Sequence, residues 1–497
     1  MPDALPKRAE PVRPVQATDL PEWDATADVV VVGYGVAGAA AAIGAATQGV
    51  DVLVLEHTGG WGGAAALAGG FIYLGGGTPV QRACGFHDTP EAMHRFLTAA
   101  MGPAADEAKL AAYAEGSLKH FDWLVKCGVT FRSAFFDRPA WEPLGDEGLM
   151  YSGGENAHPF ADLVPPAPRG HVPQMANKRT GERGAGYMLM LPLVTTAERS
   201  GARVQYDTRF RQLVLAEDGQ VCGVVARHLG KDVAVRARRG VVLAAGSFTF
   251  NADMVARHVP ELLDRPGAAV EQHDGRAIRA AQALGADTAH MWACEGAVHT
   301  DPGLMIRGIV VNGRGERVIN EDTYPGRIGQ ALLSHHSSQG FVIADEEAVE
   351  AAAADRAPSS IPPPQPRWVS EEPAELEAEA GLPAGALAAT LALYNGHAAE
   401  GRDPVHHKAS RWVRPLRPPY GVFDLRGQTS GFTLGGLRTD VDGAVLDVDG
   451  EAVPGLYAAG RTTAGVAAGG YASGISLGDS SFFGRRAGRA ATRPDCL

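Results

Sequence analysis

The segment between residues 28 and 56 constrains the fold more than any other part of the chain. An apolar run, Val29–Val32, leads into glycines with G-x-G-x-x-G spacing, and an alanine-rich segment over residues 37–47 follows. A second apolar run covers residues 50–55. Strand, glycine turn, helix and strand in this order predict a βαβ unit of a parallel sheet.

The glycine spacing has a chemical meaning in this setting. Gly33 would make the turn after the strand, Gly35 would let backbone approach a pyrophosphate, and Gly38 would let helix and strand pack closely. The phosphates would lie on the helix N-terminus. Glu56, at the end of the second strand, is either a partner for a ribose hydroxyl or an exposed strand-end carboxylate. The pattern predicts a dinucleotide site and leaves NAD and FAD open.

Composition excludes several classes of protein. A chain of 497 residues with 45% apolar content predicts two or three globular domains. The formal net charge of −12, without a basic cluster, argues against nucleic acid or an anionic membrane as partner. No apolar run is long enough to span a bilayer, and the N-terminus lacks an apolar leader, so a cytoplasmic protein without a transmembrane segment is expected.

The cysteines are scattered and form no C-x-x-C pair, which fits a reducing compartment and predicts no metal site. The adjacent histidine pairs at 335–336 and 406–407 do not change this expectation, because neighbouring side chains point apart. The cysteines are Cys84, Cys127, Cys222, Cys294 and Cys496.

Changes in sequence texture predict the domain organisation. Residues 1–25 are proline-rich and read as a flexible tail. Residues 296–414 combine a hairpin-like segment, "GIVVNGRGERVIN", with a proline-rich loop, and they read as an inserted domain. The glycine-and-strand texture then resumes. The nucleotide-binding domain is therefore predicted to consist of residues 26–295 and 415–497.

Near the C-terminus, Gly474–Gly478 matches G-x-S-x-G, the nucleophile elbow of serine hydrolases. That elbow needs a strand before it and a histidine after it, but the preceding residues form no strand pattern and no histidine follows His407. The segment instead predicts a helix after Ser476 with Arg485, Arg486 and Arg489 towards its C-terminal end. Its N-terminus would offer free N–H groups and partial positive charge.

Three further segments, "GGWGGAAALAGG", "GVVLAAGSF" and "PGLYAAGR", separate FAD from NAD. With them, the chain resembles the flavoprotein family of fumarate reductases, succinate dehydrogenase flavoprotein subunits and 3-ketosteroid dehydrogenases, over nearly its whole length after the tail. The resemblance implies an α/β fold: a Rossmann-like FAD-binding domain of the glutathione-reductase type with an inserted, smaller α+β catalytic domain. Some relatives attach FAD through a histidine in the first segment, which here holds none, so noncovalent FAD is expected.

The resemblance also extends the predicted cofactor site beyond the first glycine motif. The loop around Gly63 would line the cofactor, Gly460 would lie near its ribityl side, and the backbone of Ser476 and Leu477 would face the pyrimidine edge of the flavin. The predicted FAD-binding residues are Gly33, Gly35, Val36, Ala37, Gly38, Glu56, His57, Gly62, Gly63, Ala64, Gly69, Gly70, Phe210, Ala245, Gly246, Gly460, Arg461, Ser476 and Leu477.

Forming a carbon–carbon double bond beside a ketone requires donors on the ketone oxygen and a base for the α-proton. The residues that offer this chemistry are Tyr324, Tyr471 and Ser473. From spacing alone, Tyr471 could equally be a packed aromatic, Ser473 a helix N-cap, and Tyr324 the first residue of a Tyr-Pro-Gly turn.

Within the family, the segments "GGFIYLGGGTP", "MYSGGEN", "RGHVPQM", "FTLGGLRT" and "AGGYASG" resemble the 3-ketosteroid Δ4-(5α)-dehydrogenases. This resemblance implies that a 5α-3-ketosteroid loses hydrogen across carbons 4 and 5. Tyr471 would polarise the ketone at carbon 3, Ser473 would remove the carbon 4 proton with help from Tyr324, and FAD would take hydride from carbon 5. Electrons would then leave to an external acceptor of unknown identity.

Three alternatives stay open at this stage. A Δ1-dehydrogenase is disfavoured because relatives of that type carry Pro-Gly after the loop tyrosine, where this chain has Ala472-Ser473. A flavin electron-transfer subunit is the non-enzymatic alternative. A fumarate or succinate enzyme would use cations such as His335, His336, Arg314, Arg317 and Arg327, whereas Phe71, Tyr73, Phe432 and Tyr471 suit a hydrophobic substrate better.

Overall fold

A computed structural model describes residues 12–143, 145–173, 185–356 and 363–493 of the chain. Cys496, residues 1–11 of the predicted tail, and Gln174 and Met175 of "RGHVPQM" lie outside these ranges. The strands are β1 Val15–Gln16, β2 Ala25–Val32, β3 Val52–Leu55, β4 Ile72–Tyr73, β5 Leu149–Met150, β6 Gly170–His171, β7 Arg203–Gln205, β8 Thr208–Leu215, β9 Val221–His228, β10 Lys231–Leu243, β11 Thr288–Ala289, β12 Cys294–Val298, β13 Ile309–Asn312, β14 Gly340–Asp345, β15 Trp368–Ser370, β16 Tyr420–Asp424, β17 Thr429–Thr433, β18 Gly436–Leu437, β19 Ala444–Leu446 and β20 Ala452–Ala458.

The α-helices cover both faces of the main sheet and surround the smaller one. They are α1 Val36–Ala46, α2 Gly63–Leu67, α3 Pro79–Ala83, α4 Pro90–Met101, α5 Glu107–Lys126, α6 Phe160–Leu163, α7 Ala185–Arg199, α8 Ala252–His258, α9 Arg276–Gln282, α10 Pro302–Arg307, α11 Pro325–His336, α12 Glu346–Asp355, α13 Pro373–Ala380, α14 Ala386–Ala398 and α15 Ile475–Ala490.

The main sheet has nine strands in the order β1-β8-β9-β10-β2-β3-β7, with β20 paired to β10 and β19 paired to β20. Strands β20, β10, β2, β3 and β7 run parallel, and β8, β9 and β10 form an antiparallel meander. The pairing of β20 with β10 joins the two ends of the chain in one sheet. This is the α/β FAD-binding fold that the sequence predicted.

The predicted βαβ unit consists of β2, α1 and β3, and its side chains alternate between two buried layers. Val30 and Leu53 pack into one core cluster, whereas Val31 and Val54 pack into the other. Both faces of these strands are therefore covered, as expected for parallel strands inside a doubly wound sheet. This burial explains why the strands read as continuous apolar runs.

Helix α1 is buried along its whole length and packs against the C-terminal helix α15. Small residues make the close approach possible: a Cβ on Gly484 would lie 2.5 Å from Ala37 O, and one on Gly488 would lie 2.0 Å from Ala41 O. The C-terminal helix therefore sits backbone to backbone on the helix that follows the glycine turn. This contact holds the N-terminus of α15 beside the same site.

The smaller sheet is antiparallel, in the order β13-β14-β16-β15. The "GIVVNGRGERVIN" segment forms a short hairpin, as predicted: Val311 and Arg317 make an antiparallel bridge, and the N–H of Val318 donates to Val310 O at 3.0 Å. Strand β13 also pairs with β14. The domain boundaries remain a prediction. Strand β16 lies beyond the predicted end at residue 414 yet pairs with β14 and β15, which favours a later end for the insertion.

The flexible tail predicted for residues 1–25 needs correction over its described part. Val12 is buried, and β1 pairs in parallel with β8 from Val15↔Val214 onwards. Further along, the N–H of Asp24 donates to Ala234 O at 2.9 Å. Proline content indicated a loose segment, but these residues extend the main sheet at its edge.

The described residues offer neither a membrane-spanning helix nor a metal-binding cluster. None of the helices in the described ranges combines the length and apolar character needed to cross a membrane. In the same ranges, no group of three or more His, Cys, Asp or Glu side chains could hold a metal ion.

Candidate active site

A cavity of about 480 Å³ opens at the carboxyl ends of the parallel strands β2, β3, β10 and β20. Ligands bind at such an edge in open α/β sheets because the loops and helix N-termini meet there. The predicted cofactor residues line this cavity, except Gly38 and Gly62. All three predicted catalytic residues line it as well.

The two exceptions act one layer behind the cavity. A Cβ on Gly38 would lie 1.9 Å from Gly33 O, so Gly38 is needed for the close packing of α1 against the turn after β2. The N–H of Gly62 donates to Tyr34 O at 3.0 Å, and Gly62 begins α2 at a φ of 111°. Both glycines shape the backbone that other residues present to a ligand.

The first glycine turn forms an anion site at the start of α1. Gly33 has a φ of 99°, and a side chain there would meet Ala244 O at 2.5 Å. Gly35 is the N-cap of α1, and no side chain caps the helix in its place. The free N–H groups and the helix dipole point at the cavity, as a pyrophosphate requires.

Glu56 lies at the end of β3 and is 7% exposed. One carboxylate oxygen accepts the N–H of Tyr34 at 2.8 Å, and the other accepts both the N–H and the hydroxyl of Thr58 at 2.9 Å. These bonds fix the carboxylate at the cavity wall. Remaining acceptor capacity faces the site, so the geometry fits a ribose hydroxyl better than an exposed strand-end group.

At the other end of the cavity, α15 begins at Ile475 with Gly474 as its N-cap. Gly474 has a φ of 97°, its carbonyl accepts the N–H of Tyr73 at 3.1 Å, and no side chain caps the helix. Ser473 is therefore not the N-cap. Ser476 and Leu477, in the first turn, line the cavity and present the positive end of the helix dipole to it.

The side chains of Tyr324, Tyr471 and Ser473 meet in the part of the cavity nearest this helix end. Tyr324 is the N-cap of α11 and not the start of an isolated turn, and it is 9% exposed. Burial raises the pKa of Tyr324, and a hydrogen bond with Ser473 opposes that rise. Burial and then the Glu295 carboxylate raise the pKa of Tyr471 to about 12. Both phenols stay protonated at neutral pH.

Ser473 is held by a two-way contact with Ser152. The N–H of Ser473 donates to Ser152 O at 2.8 Å, and the Ser152 hydroxyl donates to Ser473 O at 2.8 Å. Ser152 itself follows β5, and its N–H donates to the buried Glu155 carboxylate. The "MYSGGEN" segment therefore fixes the position of the loop that carries Tyr471 and Ser473.

Replacing Ser152 by alanine is expected to slow substrate oxidation by about fivefold to tenfold, the equivalent of one hydrogen bond of about 1 kcal/mol. The loop keeps its backbone bond but loses the contact from the hydroxyl. FAD content should stay unchanged, because the cofactor walls are untouched. The rate of flavin bleaching in a stopped-flow instrument measures the effect.

Ser338→Ala is a matched control, since Ser338 is buried but its hydroxyl has no hydrogen-bond partner among the described residues. The control should oxidise substrate at the parent rate. Equal rates for Ser152→Ala and the parent protein would contradict the positioning assigned to Ser152.

Sequence reasoning missed several lining residues because they come from distant segments without a motif. Trp141 packs edge to face on Tyr324 with ring centroids 6.0 Å apart. The His273 ring packs against Gly246, where a Cβ would lie 2.2 Å from His273 Nε2. Burial, and then the positive charge of Arg461, lowers the pKa of His273 to about 4. The buried Glu295 also lines the cavity. Only the buried β-pattern of residues 294–298 could have suggested it.

The cations of the dicarboxylate alternative do not line the cavity, although Arg327 lies just behind it and approaches Tyr471 O at 3.5 Å. Arg317 is buried in ion pairs with Glu321 and Asp403 at 2.7 and 2.9 Å. Arg327 lies over the Phe160 ring at 4.4 Å. Within the described ranges, the cavity lining includes none of the five residues proposed for that alternative, which are Arg314, Arg317, Arg327, His335 and His336.

Tyr73 also differs from its expected place. It is fully buried, stacked 5.9 Å from Phe96, and does not line the cavity. The apolar wall is made instead by Phe71, Trp141 and Phe432, together with the faces of the two tyrosines.

Comparison with known proteins agrees with this geometry. Residues 28–477 match the family described as "FAD binding domain". A crystal structure of 3-ketosteroid-Δ4-(5α)-dehydrogenase from Rhodococcus jostii RHA1, in complex with 4-androstene-3,17-dione, is 61% identical. It covers 97% of this chain and 100% of its own, with a TM-score of 0.94.

Two curated proteins are more distant relatives. The 3-oxo-5-alpha-steroid 4-dehydrogenase of Comamonas testosteroni is 29% identical over 90% of this chain and 94% of its own length. The 3-oxosteroid 1-dehydrogenase of Mycobacterium tuberculosis (strain ATCC 25618 / H37Rv) is 28% identical over 88% of this chain and 93% of its own.

Proposed function

The chain belongs to the FAD binding domain family of flavoproteins, and from this premise we propose that it oxidises 5α-3-ketosteroids by forming the double bond between carbons 4 and 5. It is an oxidoreductase with FAD as cofactor. The observation that carries the proposed reaction is the meeting of Tyr324, Tyr471 and Ser473 beside the N-terminus of α15 in one cavity.

The cavity wall supports a large apolar substrate. Phe71, Trp141 and Phe432 line it, and the Phe432 ring packs edge to face on Tyr471 with centroids 5.7 Å apart. Burying apolar surface supplies about 25 cal/mol per Å², so a rigid ring system would gain more here than a small dicarboxylate. The solved relative at 61% identity holds a 3-ketosteroid, which agrees with this chemistry.

Tyr471 is proposed to polarise the carbon 3 ketone. Its pKa of about 12 keeps the phenol protonated, so that it donates a hydrogen bond to the ketone oxygen. Charge that develops on the ketone oxygen would be stabilised by this phenol, which acidifies the proton on carbon 4. The Ser476 backbone, in the first turn of α15, would offer the partial positive charge of the helix N-terminus to the flavin.

Ser473 is proposed to remove that proton. Serine is a weak base by itself, so its own proton must leave as it accepts another. Tyr324 interacts with Ser473, and its own hydroxyl donates towards Trp141 O at 3.3 Å. Tyr324 is therefore oriented to receive a proton from Ser473.

Bound FAD supplies the two-electron acceptor that takes hydride from carbon 5. The residues proposed to hold it are the predicted set, with the pyrophosphate on the Gly33–Gly38 turn and a ribose on Glu56. Noncovalent binding is proposed because residues 62–70, around α2, offer only glycine, alanine and leucine. Electrons are proposed to leave to an external acceptor.

We propose the cytoplasm as the compartment. The four cysteines within the described ranges, Cys84, Cys127, Cys222 and Cys294, are free thiols. Free thiols of this kind persist where the environment is reducing.

The substrate class is tested by anaerobic mixing of the oxidised yellow protein with one steroid or acid at a time. A 5α-saturated 3-ketosteroid is expected to bleach the flavin absorbance, whereas a 4-ene-3-ketosteroid and succinate are expected to leave it unchanged. Bleaching by the 4-ene compound would indicate Δ1 chemistry, and bleaching by succinate would indicate the dicarboxylate reaction. A flavin that ignores all three would indicate an electron-transfer subunit.

A further inference from the structure

Glu295 is a buried carboxyl in the cavity to which the proposed reaction gives no task. It lies on β12, is 6% exposed, and lines the cavity. Among the described residues, its Oε2 has no hydrogen-bond partner. The backbone of Gly296 and the Arg327 guanidinium favour the charged form, but a buried carboxyl oxygen without a hydrogen-bond partner is costly, so a structural role explains Glu295 poorly.

Glu295 lies beside the proposed relay. A methyl group on Gly326 would lie 3.2 Å from Glu295 Oε1 and 3.0 Å from Tyr324 Cε1, so the carboxylate and the phenol ring flank the first turn of α11 together. The same helix packs tightly on β12, because a Cβ on Gly329 would lie 2.4 Å from Gly296 O. Glu295 Oε1 and the Tyr324 ring therefore lie on the same side of the first turn of α11.

The groups that face Glu295 come from each neighbouring element. Helix α11 contributes Arg327 and Tyr324, the loop before α15 contributes Tyr471, its own strand contributes Cys294, and β17 contributes only the apolar Phe432. Burial raises the pKa of Glu295 well above the ordinary carboxyl value, and Arg327 opposes this rise. The carboxylate in turn raises the pKa of both phenols.

The relay needs a base beyond Tyr324. If Tyr324 accepted a proton from Ser473 and kept its own hydroxyl proton, it would carry a positive charge. The relay therefore works only if a group near Tyr324 can accept the hydroxyl proton. The Trp141 carbonyl that it faces cannot hold a proton at neutral pH. The Glu295 carboxylate, which flanks Gly326 together with the Tyr324 ring, satisfies the requirement.

We propose that Glu295 is the terminal acceptor of the carbon 4 proton, reached from Tyr324 through one water molecule; the inference rests on the proposed function. The C4–H electrons become the new carbon–carbon π bond as the C5–H bond breaks and its electron pair leaves as hydride to the oxidant of that reaction. Ser473 takes the C4 proton and passes its own to Tyr324. Tyr324 passes its proton through the water to Glu295, which becomes a neutral acid.

A second carboxyl, Glu142, competes for this role. It lines the same cavity, next to Trp141, but it is partly exposed. Of the two carboxyls, Glu295 raises the pKa of Tyr324 more than Glu142 does. Glu142 is therefore the control that separates a specific acceptor from any nearby negative charge.

The first measurement is the rate of anaerobic flavin bleaching by a 5α-saturated 3-ketosteroid as a function of pH. The parent protein should slow as pH falls, because Glu295 must be ionised to accept a proton. Glu295→Gln should be slower by at least about tenfold on the alkaline side and should lose this acid limb. Glu142→Gln should keep it. A Glu295→Gln profile with the parental limb, or loss of the limb in Glu142→Gln, would overturn the proposal.

The second measurement does not depend on turnover. A buried carboxyl whose pKa is higher in the folded than in the unfolded state favours folding while it is protonated. This contribution to stability is lost as pH rises from the unfolded-state pKa through the folded-state pKa. The melting temperature of Glu295→Gln relative to the parent protein should therefore increase with pH. A difference that is constant with pH would show that Glu295 does not titrate in the fold and would overturn the proposal.

Arg327→Gln provides a further arm if Glu295→Gln fails to bind FAD. Loss of the cation should move the acid limb of flavin bleaching to higher pH, and an unmoved limb would count against Glu295 as its source. A parent protein that no 5α-3-ketosteroid bleaches would instead refute the proposed function. The melting measurement distinguishes the two failures, because it still reports whether Glu295 titrates.

Discussion

Replacing Tyr471 by phenylalanine is expected to slow flavin reduction by a 5α-3-ketosteroid by about 10²–10³-fold, the effect of removing one donor from a developing oxyanion. The reason is that the phenol, whose pKa burial raises to about 12, stays protonated at neutral pH and donates to the ketone oxygen. Anaerobic stopped-flow absorbance measures the rate.

Phenylalanine keeps the ring that packs on Phe432, so the variant should retain its FAD and its melting temperature. Ser473→Ala should show a loss of similar order, since it removes the proposed base and leaves the backbone bonds to Ser152 intact. A parental rate in Tyr471→Phe would contradict the role of the phenol in the proposed reaction. A variant that lost FAD would report a defect in folding or cofactor binding, and its rate would not be compared.

The Gly38→Ala substitution is expected to abolish FAD binding and to destabilise the protein by at least about 3 kcal/mol, the upper range for overpacking. The added methyl group would lie 1.9 Å from Gly33 O, a backbone atom that cannot move without opening the turn after β2. Flavin absorbance of the purified protein and its urea unfolding curve measure the two effects.

Gly35→Ala is the matched control, because the two glycines share one motif but differ in what surrounds them. Gly35 has a φ of −77°, and its added Cβ would meet nothing closer than Gly62 O at 3.8 Å. The fold should therefore survive, while FAD affinity falls because the methyl group stands between the backbone and the pyrophosphate. An equal loss of stability in both variants would contradict the packing role assigned to Gly38.

Local sequence patterns predicted the βαβ unit at the centre of the FAD-binding domain. The βαβ unit follows from short-range rules, since apolar runs and glycine spacing specify a strand, a turn and a buried helix within about thirty residues. Tyr324 shows the limit of such rules: Tyr-Pro-Gly reads as a turn, but the following residues find a sheet to pack on, and Pro325 becomes the first residue of α11. The hairpin of the inserted domain was visible in the sequence, but only the tertiary structure shows that β13 also pairs with β14.

The catalytic cluster is a different case. Tyr471 and Ser473 are two residues apart in sequence, but Tyr324 reaches them from another domain segment, and Glu295 joins from a strand without any motif. Resemblance to a family suggested three of these four residues. Burial decides the acidity of each, and burial is a property of the assembled cavity.

The sequence by itself determined a dinucleotide site and the parallel sheet, because glycine conformation and apolar periodicity act over a few residues, and resemblance to a family narrowed the dinucleotide to FAD. Only the tertiary structure decided that Ser152 holds Ser473 in place and that the N-terminus of α15 faces the cavity. It also decided that Glu295 has a buried oxygen without a partner among the described residues and lies near two phenols. These arrangements depend on contacts between segments hundreds of residues apart. Their energies come from packing and desolvation, which no local pattern encodes.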